Sequence, residues 1–400
     1  MPVLAALAPI MAVVLIGFVV VGMAMPVLPL YVHHTLGMSS LMVGLVAGSQ
    51  FATSLVTRPW AGHYADTRGG KRAVLAGLIG ASAAGALYLL SVNLASTPLV
   101  AALILLVGRA VLGGAESFII TGALGWGLSN VNADNTGKVI AWMGTAMYVA
   151  FAAGAPLGTL FYEVRGFAAI ALATLLLPVA SSLFVWRLKS LPPPPGRSAP
   201  AMRKVFNAVL WPGVGLALSS FGFGAMTTFL AILFSSREWT PAWPAFTGFA
   251  AAFIVARLFL GHLPDRLGGA RVALLFVFIE AGGQALLWLA PSYSIALCGA
   301  LLTGFGYSLV YPGFAVEAVK RAPPASKAFA MGAYTAFLDL ALGLGSPVLG
   351  WIADRRGVES VFLVSALAVV SASLVALGLM RQPRPAIVVK RVPCAGNSEG

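Results

Sequence analysis

The chain has 400 residues, of which 59% are hydrophobic and only 9% are charged, and its net charge is +13. About 25% of the residues of a soluble globular protein are charged. This chain therefore cannot cover a water-facing surface, and its main solvent must be lipid. The basic excess is interpreted as the cytoplasmic loops of a membrane protein, not as a nucleic-acid-binding surface. The two cysteines, Cys298 and Cys394, predict neither a disulfide framework nor a metal site.

Twelve apolar segments are long enough to cross a membrane, which takes about 20 residues of helix. They are predicted at residues 7–31, 38–61, 72–92, 98–124, 138–161, 167–187, 207–235, 241–261, 271–290, 294–316, 327–351 and 358–380. The long connection at 188–206 contains four consecutive prolines, which forbid a continuing helix. The sequence therefore predicts an all-α polytopic protein with six-helix bundles at 1–187 and 207–380, a cytoplasmic linker, and a cytoplasmic tail at 381–400.

Basic residues are unevenly distributed among the predicted loops. With a cytoplasmic N-terminus, the inner loops, adjoining helix ends and tail hold 20 Lys and Arg residues, with Arg58 among them. The outer loops hold four, which are Arg165, Arg237, Arg355 and Arg356. Cytoplasmic loops of membrane proteins carry an excess of Lys and Arg. Both termini are therefore predicted on the cytoplasmic side.

A charged string between the second and third spans returns in the second half of the chain. The two copies are RPWAGHYADTRGGKRAVL (58–75) and RLFLGHLPDRLGGARVAL (257–274), identical at eight of 18 positions at an offset of 199. A second echo links GAPLGTLFYEVRG (154–166) to GSPVLGWIADRRG (345–357). Six spans return the chain to its starting side, so the halves are predicted to be parallel repeats with a substrate site between them near the midplane.

The first string resembles a signature of the major facilitator superfamily of secondary transporters, G-x-x-x-D-R-x-G-R-K, with Thr67 and Gly70 in place of basic residues. The resemblance implies gating residues at Gly62, Asp66, Arg68, Gly69, Lys71 and Arg72, and in the second copy at Gly261, Asp265, Arg266 and Gly268. Asp66 is placed to face a helix N-terminus or a basic neighbour, which is a stabilising contact. If that partner belongs to the other half, the contact holds one alternating-access state together.

Two further motifs resemble this family. GRAVLGG in span 4 is similar to its membrane-embedded R-x-x-x-G motif, with Arg109 and Gly113. GAPLG in span 5 is similar to its antiporter motif, with Gly154, Pro156 and Gly158, although Ala155 interrupts the usual Gly-Pro order. The whole pattern resembles bacterial proton-driven efflux members, including the arabinose-efflux-like group. This resemblance implies a twelve-span fold and a transport function.

Four ionisable side chains lie inside predicted spans, where a charge is costly and a functional role is the default hypothesis. Arg109 and Glu116 are seven residues apart, which places them on one helix face about 10 Å apart. Asp339 has no basic residue nearby in sequence and is a candidate proton carrier. Glu280 has Gln284 one turn along its face, which favours a structural network. A cavity lining is also predicted from Met25, Phe221, Phe223, Tyr307 and Tyr311.

The leading hypothesis is a proton-coupled exporter of a small organic solute that works by alternating access, as a monomer, in the bacterial inner membrane. The four buried groups sum to −2 if all are ionised, which favours a cationic or zwitterionic solute. One alternative is a proton-linked importer of a sugar or an organic acid, and another is a non-transporting scaffold or receptor. No catalytic triad, phosphate loop or metal-ligand spacing is present, so an enzyme is disfavoured and no cofactor or metal is expected.

Overall fold

The computed structural model describes residues 3–131, 136–189, 202–323 and 327–381. Within these ranges the regular structure is entirely helical. The first half contains α1 (Val3–Ala24), α2 (Leu28–Leu30) with a following π-helical turn (Tyr31–Thr35), α3 (Ser40–Arg68), α4 (Gly70–Asn93), α5 (Pro98–Ser129), α6 (Thr136–Arg165) and α7 (Phe167–Arg187). The second half contains α8 (Met202–Ser236), α9 (Trp243–Leu260), α10 (Leu263–Leu267), α11 (Gly269–Leu289), α12 (Tyr293–Arg321), α13 (Lys327–Arg356) and α14 (Glu359–Arg381).

Twelve spans within the described ranges are long and apolar enough to cross a membrane, which confirms the predicted fold class. The first span runs through α1, α2 and the π-helical turn, from Leu7 to Thr35. The predicted linker is shorter than 188–206, because α8 already begins at Met202. Most of that linker, and the tail beyond Arg381, lie outside the described residues.

The charged string at 58–75 is mostly helical, although the sequence suggested a loop. Helix α3 continues to Arg68 and ends at Gly69, whose φ of 91° is a conformation that glycine adopts without a steric penalty. Arg58 and Asp66 therefore lie on α3, and the turn to α4 is a single residue. In the second copy the helix breaks at Gly261, and the short α10 follows before Gly268 (φ 97°).

The two halves meet mainly along two pairs of helices. Helix α3 packs against α13, and helix α6 packs against α9. Each pair joins a helix of the first half to a helix of the second, as expected for repeats related by an axis along the membrane normal. We call the two ends of the bundle the Asp354 end, where α3 begins and α13 ends, and the Asp66 end, where α3 ends and α13 begins.

Glycine allows close helix crossings, which is how helices commonly associate in lipid. At Gly113 of α5, a Cβ atom would overlap the backbone carbonyl of Gln50 on α3. This contact explains the glycine of the R-x-x-x-G pattern, because it seats α5 against α3 and so sets where Arg109 lies. Gly125, on the same helix, has no neighbouring atom within 4 Å of an added Cβ.

We predict that Gly113→Ala lowers the thermal unfolding temperature of the purified protein, because the new methyl group forces α5 away from α3 at a cost of about 1–3 kcal/mol. Gly125→Ala is the matched control and should be neutral or slightly stabilising, since alanine favours helix over glycine. Thermal unfolding in detergent measures both. Equal stability of the two variants would contradict the proposed close crossing.

Candidate functional site

An ion pair between a half-buried arginine and a buried aspartate joins the two halves of the molecule. Arg58 of α3 places its Nη2 atom 2.5 Å from Oδ2 of Asp339 on α13. Asp339 is only 3% exposed, while Arg58 also donates to the Ser54 hydroxyl at 3.4 Å. No basic residue lies near Asp339 in the sequence, because its ion-pair partner comes from the other half of the chain. The Arg58–Asp339 pair therefore crosses the interface between the two halves.

Glu116 lies beside this pair and is held by a different partner. Gln50 of α3 donates from Nε2 to Glu116 Oε1 at 2.5 Å, and both side chains are buried. Glu116 is close enough to Arg58 and Asp339 to interact with them electrostatically. Arg109 and Glu116, predicted on one helix face about 10 Å apart, form no salt bridge with each other in the structure.

Arg109 faces a small central cavity. The cavity has a volume of about 20 Å³, which is room for about one water molecule. Its walls come from both halves of the chain: Val21, Ala24, Met25, Leu28, Pro29, Ala47, Phe51 and Arg109 from the first half, and Thr227 and Thr228 from the second. Of the predicted lining residues, Met25 is the one that reaches this cavity. A charged, apolar and hydroxyl-bearing lining suits a small organic solute.

Glu280 belongs to a separate cluster in the second half. Ser219 donates to its Oε2 atom, and Gln284 donates to the Gly222 carbonyl and to Thr303, both at 3.3 Å. Glu280 has no exposed surface. It lines neither described cavity, so the structure does not bring it together with Arg109, Glu116 and Asp339.

The other predicted lining residues contact neighbouring helices in this conformation, and their role in a solute cavity stays a prediction. Phe223 stacks on Tyr307 with ring centroids 5.3 Å apart, and both are buried. Tyr311 bonds the Thr335 hydroxyl at 3.2 Å. Phe221 approaches the backbone of Gly345 on α13. Aromatic residues in spans fill helix interfaces as readily as they line cavities, and sequence alone does not separate the two uses.

The second interface, between α6 and α9, is aromatic where the first is charged. Tyr148 of α6 stacks on Phe253 of α9 with centroids 3.6 Å apart, and Arg257 lies 5.7 Å from the Phe253 ring centroid. Arg257 is the repeat equivalent of Arg58, at the offset of 199. The echo at 154 and 345 has an offset of 191, which makes Tyr148 the equivalent of Asp339. A tyrosine thus replaces the carboxylate in this copy.

The Asp354 end is held closed by contacts between the halves. The carboxylate of Asp354 accepts hydrogen bonds from the backbone N–H groups of Ser40 and Leu41 at 2.7 and 2.9 Å. These N–H groups lie in the first turn of helix α3, where a negative charge is favourable. The two helices also touch through glycines near this end: at Gly44 and at Gly350 the α3 and α13 backbones lie directly against each other.

The Asp66 end lacks such a contact at its signature carboxylate. Asp66 is exposed and makes no hydrogen bond or ion pair with any described residue. Lys71 instead donates to the Trp186 and Leu188 carbonyls at 2.9 and 2.6 Å, within its own half. The other predicted gating residues with charged side chains, Arg68, Arg72, Asp265 and Arg266, are all exposed.

The two ends of the α3–α13 pair carry nearly the same short sequence, identical at four of five positions. Helix α3 ends in ADTRG (65–69) and α13 ends in ADRRG (353–357). Each terminal glycine has positive φ, 91° at Gly69 and 85° at Gly357, and each donates its N–H to the alanine four residues earlier. Asp66 and Asp354 are therefore equivalently placed at opposite ends of two antiparallel helices. Asp354 was not predicted from the sequence, although this repeat was a signal for it.

The span 5 motif has a packing explanation. Gly154 and Gly158 of α6 both lie directly on the backbone of α1 around Gly22 and Met23, where a Cβ would overlap. Pro156 lies inside α6 without ending it.

Three polar residues of the central site were not predicted from the sequence: Gln50, Thr227 and Thr228. Within the described residues, no group of three or more His, Cys, Asp or Glu side chains could hold a metal.

The fold and the site define a multi-pass integral membrane protein whose halves meet around buried charges. The family model described as Major Facilitator Superfamily matches residues 10–244 and 241–392. An uncharacterized MFS-type transporter of Salmonella typhimurium LT2 is 40% identical over 374 residues, covering 93% of this chain and 96% of the relative. Another from Pseudomonas aeruginosa is 41% identical over 369 residues, covering 92% of each chain.

Solved structures agree at the level of the fold. The nucleoside transporter NupG has a TM-score of 0.72 at 14% identity, covering 96% of this chain and all of that one. A bacterial homolog of the human lysosomal transporter Spinster, in an inward-facing and occupied conformation, has a TM-score of 0.73 at 14% identity, covering 94% and 96%. The chain therefore belongs to the major facilitator superfamily. It is a transporter that acts by alternating access, not an enzyme.

We predict that Asp354→Asn shifts the protein towards conformations in which the Asp354 end is open. Loss of a helix-capping carboxylate costs about 1 kcal/mol, which is about a fivefold change in the equilibrium between states. Spin labels on Ser96→Cys and Ser292→Cys, in a background with Cys298 and Cys394 replaced by serine, report the opening as a longer inter-label distance.

Glu359→Gln is the matched control for Asp354→Asn. Glu359 pairs with Arg237 at 3.2 Å at the same end, but both residues belong to the second half. Removing that charge should leave the distance distribution unchanged. A distribution that is unchanged in Asp354→Asn, or shifted equally in Glu359→Gln, would show that Asp354 does not hold the halves together.

Proposed function

We propose that this chain is a proton-coupled transporter of a small organic solute, in which the Arg58–Asp339 pair links protonation to movement of the halves. The observation that carries the proposal is that an ionisable carboxyl, buried in the membrane interior, has its only ion-pair partner among the described residues in the opposite half. An ionised carboxylate at the bilayer centre costs at least about 2.5 kcal/mol without compensation. Arg58 supplies that compensation across the interface.

Protonation of Asp339 removes this attraction between α3 and α13. Breaking one side of a buried ion pair is strongly destabilising, because the remaining charge loses its partner. A proton on Asp339 therefore weakens the conformation seen here and favours one in which Arg58 is solvated or held elsewhere. Glu116 lies within electrostatic reach of both groups, and it is the next candidate to receive the proton or the arginine.

The two equivalent aspartates provide the gates of the same cycle. Asp354 caps the start of α3 from the other half in this structure. Since α3 and α13 are antiparallel neighbours, Asp66 lies at the end where α13 begins. We propose that Asp66 caps α13 when the Asp66 end closes, so that one cap forms as the other breaks. The exposed Asp66 is consistent with the closed Asp354 end.

The basic-residue bias favours a cytoplasmic Asp66 end and cytoplasmic termini. The protein would then be closed to the outside in this conformation. We propose that it lies in a bacterial inner membrane and works as a monomer. The likeness of Gly154, Pro156 and Gly158 to an antiporter motif favours export, as in proton-driven efflux members. Import driven by the same proton is the alternative direction of this cycle.

The charge of the site differs from the sequence estimate. Arg58 joins the centre and Glu280 lies in another cluster. Arg58 and Arg109 now face Glu116 and Asp339, so the four groups sum to zero if all are ionised. The estimate of −2 that favoured a cationic solute therefore has no support from the arrangement of these side chains.

We predict that Asp339→Asn abolishes solute-dependent proton movement while leaving solute exchange intact. Asparagine keeps the size of the side chain and an oxygen that accepts from Arg58, but it cannot carry a proton. Proteoliposomes loaded with a pH-sensitive dye measure proton movement when solutes of a screen are added, and labelled solute measures exchange. The direction of uphill flux under an imposed pH gradient separates export from import.

Glu280→Gln is the control for this experiment, because it removes another buried carboxyl from the separate cluster. It should retain the proton signal. Intact proton-driven transport in Asp339→Asn would reject Asp339 as the coupling residue. Loss of coupling only in Glu280→Gln would move that role to the second half of the chain.

A further inference from the structure

Arg109 is a deeply buried cation that forms no ion pair within the described residues. It is only 7% exposed, and its Nε and Nη1 atoms are buried with no hydrogen-bond acceptor in those residues. No carboxylate of the described chain lies within ion-pair distance of it. A buried guanidinium without a partner is unfavourable. Such a group is expected to have a partner that the chain itself does not supply.

The nearby side chains do not fill this role. Glu116, two turns along α5, interacts electrostatically with Arg109 as well as with Arg58 and Asp339, but its carboxylate accepts from Gln50 and forms no ion pair with Arg109. Arg58 already compensates Asp339. The buried Tyr88 hydroxyl lies close to Arg109 but outside hydrogen-bond geometry. A neutral phenol supplies no charge, so Arg109 is the cation of the centre that has no ion-pair partner within the described residues.

The cavity in front of Arg109 is where the missing anion would enter. It lies between the halves, with Thr227 and Thr228 of α8 on one side and Met25 and Phe51 on the other. The hydroxyl groups can bond a polar head, and the apolar side chains can contact a carbon skeleton. At about 20 Å³ it holds about one water in this conformation, so a solute needs the space that opens when the halves separate.

We propose that Arg109 binds the carboxylate of the transported solute, so that the substrate class is small organic acids, including zwitterions, and not neutral sugars or simple amines. The inference rests on the proposed transport function. A guanidinium matches a carboxylate through two parallel hydrogen bonds. Those bonds involve charge on both sides, which makes the acid a far better ligand than its amide.

The test compares each acid with its own carboxamide, which has nearly the same shape and an uncharged amide in place of the carboxylate. The probes are lactate and lactamide, benzoate and benzamide, and serine and serinamide. Binding to the purified full-length protein in detergent is measured at one fixed pH, as the ligand concentration that raises the unfolding temperature. At least one acid should stabilise the wild type, and its amide should need at least about a tenfold higher concentration, as expected for loss of a charged hydrogen bond.

Arg109→Gln should abolish the difference in binding between acid and amide. Arg109→Lys should still prefer the acid but bind it more weakly, since lysine retains the charge but not the paired donors. Arg165→Gln is the matched control, because Arg165 is exposed at the end of α6. It should bind like the wild type. If Arg109→Gln does not fold, the acid–amide comparison in the wild type and Arg109→Lys carries the test.

The inference is overturned if no acid of the panel stabilises the protein, if acid and amide stabilise it equally, or if Arg109→Gln keeps the preference. This measurement uses no pH gradient, so its result is independent of proton coupling. Acid binding without proton-driven transport would reject the proposed coupling and leave the Arg109 site standing. Proton-driven transport of a neutral or cationic solute would reject the Arg109 site and leave the coupling standing.

Discussion

Charge in a membrane interior needs compensation close by, and in this protein the compensation for Asp339 comes from the other half of the chain. Arg58 and Asp339 lie on α3 and α13, the helices whose contact also closes the Asp354 end. The low dielectric that makes the pair strong also makes each member costly when alone. The stability of the interface and the protonation of one carboxyl are therefore linked directly. No long chain of intermediate contacts is needed to connect them.

The close approach of the helices is a condition for this electrostatic arrangement. Gly44 and Gly350 bring the α3 and α13 backbones together, and Gly113 brings α5 onto α3 beside Gln50. These contacts place Glu116 and Arg109 on the same side of α3 as the ion pair. Small residues fix the distances at which the charges interact, because without a hydrophobic effect in lipid the helices associate by close packing. Packing and charge are thus parts of the same site.

The fold could be predicted from the sequence, because span length, basic-residue bias and repeats are local or additive signals. Asp339, Glu116 and Arg109 were also identifiable, since a charged residue in an apolar span stands out. Their partners were not, because Arg58 was counted with the loop charges and α3 continues past it to Arg68. Pairing across 281 positions of sequence depends on how the two halves dock, which no local pattern encodes. The stacking of Phe223 on Tyr307 likewise depends on how the helices pack.

The two interfaces between the halves are related by the repeat but differ in chemistry. At α3–α13 the equivalent positions hold Arg58 and Asp339, which form an ion pair, whereas at α6–α9 they hold Arg257 and Tyr148, with Tyr148 stacked on Phe253. A tyrosine has a reference pKa near 10 and stays neutral at physiological pH, so protonation can act on only one of these interfaces. A change of pH would therefore weaken the α3–α13 interface and leave the α6–α9 interface unchanged. In the proposed proton-coupled cycle, the aromatic interface would keep its contact energy while the charged one loses its own. Protonation of Asp339 would then separate α3 from α13 without releasing the halves from each other.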